Sequence, residues 1–247
     1  MARPRPQPTE LDYRKERDWA RGNPNDPDAA GVLAHALMGS KLNDWNGVTS
    51  NEVQEAERSA REAISRDLTN ARAYYALGFI YRLKGEHIAA LALFNEASNH
   101  DATNWYALAK AQAANEKVFL GHQQEAISDV DQLISNHGPD QSIDVFHWIK
   151  GRAHFSLGQY QNAINALGQI RPARLNDLWF TRAWLMAAYA KNGQVGMAQN
   201  MLQGFKNASP YKTPTLIGQY YQQPQYQNPT LQAASGRLVE GLGRLSW

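Results

Sequence analysis

Hydrophobic residues recur along most of the chain with the period of an amphipathic α-helix. In five segments an alanine is followed by an apolar residue four and then seven positions later, which places three apolar side chains on one helix face. These triplets are Ala56/Ala60/Ala63, Ala90/Phe94/Ala97, Ala126/Val130/Leu133, Ala163/Leu167/Ile170 and Ala198/Leu202/Phe205. The leading alanines follow one another at intervals of 34 to 37 residues. The pattern therefore predicts about five copies of one helical unit.

A residue suited to a left-handed backbone precedes each leading alanine by five positions. Four of these residues are glycines, at 85, 121, 158 and 193, and Asn51 holds the place in the first copy. Glycine, and after it asparagine, readily adopts the positive φ that ends a helix. The stretch 71–84 before the first of these glycines is also helical in pattern, because its apolar positions lie three and four residues apart. Each copy is therefore predicted to be two helices joined by a short turn.

The second copy resembles the tetratricopeptide repeat in residue types and spacing. The matching positions are Tyr74, Leu77, Gly78, Tyr81, Ala90, Phe94 and Ala97. In that family a first helix (helix A) pairs with a second (helix B), and the Leu-Gly pair lets helix B approach closely. The resemblance covers roughly residues 28–210 and implies an all-α fold, a right-handed α-solenoid of about five helix-turn-helix repeats. The first copy departs from it by a longer turn at 43–51, and the third lacks the Leu-Gly pair.

Two segments flank the predicted array. Residues 1–27 are expected to be a disordered, charged N-terminal segment, because its alternating prolines cannot form a helix, although residues 10–21 are open to a short helix that docks through Trp19. Residues 211–247 are expected to form a strap rich in Tyr, Gln and Pro, followed by a helix that caps the last repeat. The apolar stripe of this capping helix is Leu231, Ala234, Leu238, Leu242 and Leu245. Its three glycines lower helix propensity, so we expect it to form only by packing on the array.

This tail supports a second resemblance, to the C-terminal repeat regions of bacterial cyclase and transcription-regulator proteins. The similarity lies in the order of the array, a Thr-Pro segment and the ending Glu240-Gly241-Leu242 with Leu245 three residues later. It implies a bacterial regulatory or scaffold context.

Composition narrows the classes of function. Lys and Arg number 25 against 23 Asp and Glu, so the net charge of +2 gives no general reason to expect nucleic-acid binding. The Arg-rich start of the chain leaves nucleic-acid binding open only as a minor alternative. The chain has no cysteine, which excludes disulfide scaffolds, cysteine nucleophiles and cysteine-ligated zinc. No long apolar run and no secretory signal is present, so we expect a cytoplasmic protein without membrane insertion.

The common catalytic motifs are absent from the sequence. There is no phosphate-binding Gly-rich loop with Lys-Ser/Thr, no Gly-x-Ser-x-Gly elbow and no His-Glu-x-x-His, so we expect no cofactor, no metal and no enzyme activity. His147 and His154 share a helix face, but a separation of about 10 Å is too long for one metal ion without further ligands. An enzyme would need a catalytic site built from these two histidines and Asp144, or from residues that match none of the common motifs.

The first resemblance also implies a binding groove lined by the A helices. In the family the groove residues occupy positions two, five, nine and twelve or thirteen of each repeat. On this chain those positions are aromatic and cationic, which suits an extended or helical peptide with apolar and acidic side chains. The candidate partner-binding residues are Arg72, Tyr75, Phe79, Arg82, Tyr106, Trp148, Arg152, Phe155, Phe180 and Lys191. The Lys and Asn clamp of chaperone-binding members is replaced by Tyr75, Phe79, Ala109 and Ala113, which disfavours that role.

The sequence therefore favours a non-catalytic adaptor that binds a protein or peptide partner of unknown identity. Three alternatives stay open at this point. The array can serve mainly to build a homo-oligomer through its convex or end surfaces, or it can be a regulatory module of a bacterial signalling system. Some of the candidate aromatic residues can also pack within the repeats or against the Tyr-rich tail, if the tail folds into the groove.

Overall fold

A computed structural model of the chain describes residues 10–26, 28–42, 50–100, 106–137, 143–172, 179–223 and 226–247. Thirteen α-helices, and no β-strand, lie in these ranges. They are α1 (Glu10–Gly22), α2 (Ala29–Leu42), α3 (Ser50–Arg66), α4 (Ala71–Leu83), α5 (His87–His100), α6 (Tyr106–Leu120), α7 (Gln123–His137), α8 (Ile143–Ser156), α9 (Tyr160–Leu167), α10 (Trp179–Lys191), α11 (Val195–Ala208), α12 (Pro214–Tyr220) and α13 (Pro229–Gly243). The predicted all-α fold is confirmed.

Helices α2 to α11 follow the predicted alternation of A and B helices, and the two helices of a repeat pack together in α2/α3, α4/α5, α8/α9 and α10/α11. The A helices are α2, α4, α6, α8 and α10, and the B helices are α3, α5, α7, α9 and α11. The apolar triplets lie on the B helices, except that Ile170 follows the end of α9, and each of their residues is at most 5% exposed. The four glycines at 85, 121, 158 and 193 have φ between 75° and 92°, as predicted. The residue after each glycine donates its backbone N–H to a carbonyl five positions earlier, which closes the helix end.

The first repeat departs from this turn. Helix α3 begins at Ser50, so Asn51 lies in its first turn, and the prediction of a helix-ending residue there was wrong. The other B helices begin three residues before their leading alanine, whereas α3 begins six residues before Ala56. The longer turn predicted at 43–51 falls mainly on residues 43–49, which lie outside the described residues.

Small residues set the distance between helix A and helix B. A Cβ atom on Gly78 would lie 2.7 Å from Cε1 of Phe94, and one on Gly151 would lie 2.5 Å from Cγ of Leu167. Each glycine precedes its neighbour by sixteen residues, so the same contact recurs in the second and fourth repeats. These contacts support the interpretation of the Leu-Gly pair as a site of close approach.

The chain divides into two compact units, residues 1–116 and 117–247, with the boundary inside α6. The core of the N-terminal unit is built around Leu37, Tyr75, Phe79, Ile80 and Phe94. The core of the C-terminal unit is built around Phe155, Leu167, Trp184, Met186 and Phe205. None of the helices in the described part of the chain has the length and apolar character that a transmembrane segment requires.

Helix α1 shows that the segment 1–27 is not uniformly disordered. Residues 10–22 are helical and pack against α2 through Ala20, which contacts Ala29 and Val32. Trp19 is 43% exposed, so the expectation that it docks the segment was wrong. A small residue docks the helix instead because it lets two helix backbones approach closely. Residues 1–9 lie outside the described residues.

The C-terminal segment contains the predicted capping helix. Asn228 caps α13 by accepting the N–H of Thr230 at 2.8 Å, and Pro229 takes the first helical position. Every residue of the predicted apolar stripe is at most 6% exposed, and α13 packs on α10, α12 and α8. The strap before it contains the short helix α12, in which Ile217 is fully buried.

The close approach at Gly151 can be tested by stability. We expect Gly151→Ala to lower the free energy of unfolding by about 1–3 kcal/mol, because its new methyl group overlaps Leu167. The control is Gly196→Ala in α11, where nothing lies within 4 Å of an added Cβ, and where alanine should stabilise the helix by up to about 1 kcal/mol. Urea unfolding of both variants measures the difference. Equal effects of the two changes would show that Gly151 has no packing role.

Candidate partner-binding face

The ten candidate residues all lie on A helices but differ in exposure. Five are buried, namely Tyr75, Phe79, Arg82, Arg152 and Phe155. Five are partly exposed, namely Arg72, Tyr106, Trp148, Phe180 and Lys191. The second set therefore keeps part of its side-chain surface in contact with solvent, whereas the first set packs within the chain.

In the N-terminal unit the buried candidates form one aromatic cluster. The rings of Tyr75 and Phe79 meet edge to face at 5.0 Å between centroids, and both pack on Phe94 of α5, at 5.6 and 5.1 Å. The guanidinium of Arg82 lies over Phe79 at 4.7 Å and over Phe94 at 5.0 Å. Burial raises the pKa of the Tyr75 hydroxyl well above its ordinary value. This part of the candidate set is therefore a packed core that joins α4 to α5.

A buried carboxylate at the end of α6 completes this cluster. Glu116 is 0% exposed, and its side chain forms an ion pair with Arg82. Its second oxygen lies 2.8 Å from Nδ1 of His87 in α5. Sequence analysis missed Glu116, although it lies one repeat length after Arg82, which was the available signal.

The N-terminal helix reaches the same unit through charges. Glu16 of α1 lies 3.3 Å from Nδ1 of His35 and 3.7 Å from the guanidinium of Arg72. Burial lowers the pKa of His35 below its usual range, although Glu16 acts in the opposite direction. Burial alone would raise the pKa of Glu16, but its contacts with His35 and Arg72 outweigh that effect and lower it. The candidate Arg72 thus already faces a carboxylate of the chain itself.

In the C-terminal unit, aromatic rings surround the buried Arg152. Its guanidinium lies 4.5 Å from the ring of Trp148, 5.1 Å from Phe119 and 5.5 Å from Trp184. Trp148 also meets the half-buried Phe180 edge to face at 5.5 Å, which places two candidates side by side on α8 and α10. We call these two partly exposed rings the aromatic patch of this unit.

The Tyr-rich strap packs against aromatic residues of the A helices. Trp184 donates its indole N–H to the hydroxyl of Tyr221 at 2.7 Å, and the ring of Tyr226 lies 6.1 Å from that of Phe119. Gln232 of α13 holds this strap by donating to the backbone carbonyls of Tyr221 and Tyr226, at 2.9 and 2.7 Å. In the C-terminal unit the strap therefore covers Trp184 and Phe119, which are not among the candidate residues.

Helix α13 extends this cover across the C-terminal ends of the A helices. We call this surface the A-helix face, defined by Gly121, Ser156, Ala187, Ala190 and Lys191. A Cβ on Gly241 would lie 3.0 Å from the carbonyl oxygen of Ala187, and Glu240 forms an ion pair with Lys191 at 2.7 Å. The candidate Lys191 therefore faces a carboxylate, as Arg72 does.

The residues considered for catalysis do not converge. Asp144 accepts the backbone N–H of Arg171 at 3.0 Å and its Nε–H at 2.7 Å. Nδ1 of His154 lies 2.7 Å from the side-chain oxygen of Gln159, and burial lowers the pKa of His147. Within the ranges that the structure describes, no group of three or more His, Asp or Glu residues is placed to hold a metal ion.

Comparison with known proteins agrees with this geometry. Residues 71–104, which contain α4 and α5, match the family model of the tetratricopeptide repeat. A search of curated protein sequences gave no match. The chain thus contains a tetratricopeptide repeat at this position.

Solved structures extend the likeness to most of the chain. A chain of the APC/C hetero-tetramer Cut9–Hcn1 has a TM-score of 0.63 at 18% identity, over 94% of this chain but only 42% of that chain. PilW, a type IV pilus biogenesis factor, has a TM-score of 0.58 at 15% identity, over 84% of this chain and 90% of that one. A tetratricopeptide repeat protein from Parabacteroides merdae has a TM-score of 0.55 at 16% identity, over 94% and 86%. At these identities the likeness shows the fold alone, that of a tetratricopeptide-repeat solenoid.

The buried Glu116 can be tested by a neutral replacement. We expect Glu116→Gln to lower the free energy of unfolding by about 3–5 kcal/mol, because the buried Arg82 then faces a neutral amide. The control Glu62→Gln removes an exposed pair with Arg66 in the same unit and should cost less than about 1 kcal/mol. Urea unfolding followed by circular dichroism measures both. Similar losses would contradict a special role of the buried carboxylate.

The lowered pKa of His35 predicts a loss of stability in mild acid. The folded chain protonates His35 less readily than the unfolded chain, in which histidine takes up a proton below about pH 6.5, so acid favours unfolding. The free energy of unfolding should therefore fall as the pH drops from 7.5 to 5.5, and it should fall less in His35→Gln. His147→Gln removes a second histidine with a lowered pKa, so the double variant should show the smallest change. If His35→Gln has the wild-type pH dependence, the assignment is wrong.

Proposed function

We propose that this chain is an adaptor that binds a segment of a partner protein on the surface of its A helices. Tetratricopeptide-type folds generally mediate interactions between proteins, and stacked repeats offer extended surfaces for this purpose. The similar Cut9–Hcn1 structure is itself a hetero-tetramer. The fold therefore supports binding, and the side chains indicate what is bound.

The observation that carries the proposal is the position of α13. In the C-terminal unit, a helix that follows the repeats already lies on the A-helix face, with Gly241 against Ala187 and Glu240 paired with Lys191. Leu238 and Leu242 of this helix are fully buried. The chain thus contains an internal example of how this face holds an amphipathic segment.

The exposed candidates favour a partner with apolar and acidic side chains. Trp148 and Phe180 present aromatic surface, and large aromatic residues are the type that most often dominates a protein interface. The cationic candidates Arg72 and Lys191 each face a glutamate of the chain's own end helices. A partner carboxylate can form the same type of ion pair.

The proposal predicts that truncating the aromatic patch weakens partner binding. We expect Trp148→Ala and Phe180→Ala each to reduce capture of the bound partner by about tenfold or more, measured by quantitative mass spectrometry after purification from cells that express the protein. The controls are Trp19→Ala and Tyr211→Ala, because these aromatic residues are 43% and 82% exposed and lie outside the patch.

Folding and oligomeric state are checked on the same samples. Thermal unfolding confirms that each variant retains its repeats before binding is compared. Undiminished capture by folded Trp148→Ala and Phe180→Ala would contradict the proposal. Capture of the chain's own copies alone, with a matching oligomer in light scattering, would favour the self-assembly alternative instead.

A further inference from the structure

Helix α13 contacts successive A helices with a fixed register. Thr230 lies against Gly121 after α6, where a Cβ would be 3.2 Å from its hydroxyl oxygen. Seven residues later, Arg237 donates to the carbonyl of Ser156 at the end of α8, at 2.6 Å. After another seven residues, Arg244 donates to the carbonyl of Ala190 near the end of α10, at 3.3 Å. Seven residues along α13 therefore correspond to the step from one A helix to the next.

This register has a simple geometric cause. Seven residues of an α-helix rise about 10.5 Å, and packed helices lie about 8–10 Å apart. A helix that crosses the A helices therefore presents the same side of its surface to each one in turn. The crossing point is the C-terminal end of each A helix, where the last backbone carbonyls are not used by the helix itself and carry a partial negative charge. The carbonyl of Ala190 also accepts the N–H of Gly193, at 3.3 Å. Arginine is suited to this position because it donates to such carbonyls.

Between the arginines, the contact requires a small residue. Gly241 lies so close to Ala187 that an added Cβ would be 3.0 Å from its carbonyl oxygen and 3.1 Å from its Cα. Gly236, one residue before Arg237, has nothing within 4 Å of its Cβ position. The close approach is thus a property of one position and not of the glycine-rich sequence as a whole.

The helix that occupies the face is a weak helix by itself. Three of the fifteen residues of α13 are glycine, and each lowers helix propensity. Its charged contacts lie at the surface, since the side chains of Glu240 and Arg244 are 53% and 44% exposed. A better helix with the same contacts would therefore compete with α13 for the face.

We propose that the A-helix face of the C-terminal unit binds a partner helix with the pattern of α13. In the free chain α13 occupies this face and therefore competes with the partner helix for it. This partner helix carries two basic residues seven positions apart, leucines between them, and a small residue four positions after the first basic one. An acidic residue before the small residue pairs with Lys191. The inference rests on the proposed function and specifies its partner and its regulation.

A peptide added to the full chain tests this proposal. The probe is a fluorescein-labelled peptide of residues 227–247, and binding is measured by anisotropy. We expect Gly241→Ala in the chain to weaken the docking of α13 and to tighten peptide binding about tenfold, because apparent affinity rises with the fraction of open face. Gly236→Ala is the matched control on the same helix, and it should bind the peptide no better than the wild type.

Two further measurements keep the outcome decisive. Glu240→Lys in the chain replaces the Lys191 ion pair with repulsion without adding volume to the packed side of α13, and it should also tighten peptide binding. A peptide with Arg237→Ala and Arg244→Ala should bind at least about tenfold more weakly than the wild-type peptide. Equal peptide binding by Gly241→Ala and Gly236→Ala chains, both folded by circular dichroism, would overturn the inference.

The result also separates this inference from the proposed function. If Gly241→Ala binds no peptide but still captures its partner through Trp148 and Phe180, the inference fails and the adaptor function stands. If partner capture does not depend on those aromatic residues, the adaptor function fails as well. A concentration-dependent dimer of Gly241→Ala in light scattering would show that the face receives α13 of a second copy and would overturn the assignment to a partner protein.

Discussion

The close contact between helix A and helix B is the interaction on which the rest of the structure depends. Gly78 against Phe94 and Gly151 against Leu167 show that it requires a small residue on helix A and a large one on helix B. The apolar triplets of the B helices are fully used in this packing. Both end helices of the chain pack on A helices, α1 on α2 and α13 on α10 and α8.

The two end helices bind their units by different physical means. Helix α1 combines the small apolar contact of Ala20 with ion pairs at the surface, such as Arg21 with Glu55 at 2.7 Å, and exposed pairs of this kind contribute about 0–1 kcal/mol each. Helix α13 buries four apolar side chains and Leu245 just after its end is buried too, and each buried leucine contributes about 1.5–3 kcal/mol. The docking of α1 is therefore more sensitive to salt than that of α13, because only exposed charges are strongly screened.

The sequence predicted local structure well, because local structure depends on nearby residues. The triplets and the glycines with positive φ follow from helix period and from the backbone freedom of glycine, and the structure confirms them. The prediction failed at Trp19 and Asn51, where contacts with distant residues or a shifted helix start decide the outcome. For Arg82 and Phe155, the repeat register gave the correct helix but could not show which segments would cover them. The sequence shows that Glu116 is acidic, but it does not show that the side chain is buried. That burial depends on the contact of α6 with α4 and α5.

The register of α13 implies that shape alone cannot decide which helix occupies the A-helix face. Every α-helix has the same rise, so any helix that crosses the A helices meets them at intervals of about seven residues. Discrimination must come from the side chains at the contacts. Most residues are excluded next to Ala187 by volume, while Lys191 and the carbonyls of Ser156 and Ala190 select charges of opposite sign at neighbouring positions. A helix that lacks the small residue or one of these charges loses a contact that water can replace only in part. The specificity of this face therefore depends on the residues at these few positions of the bound helix.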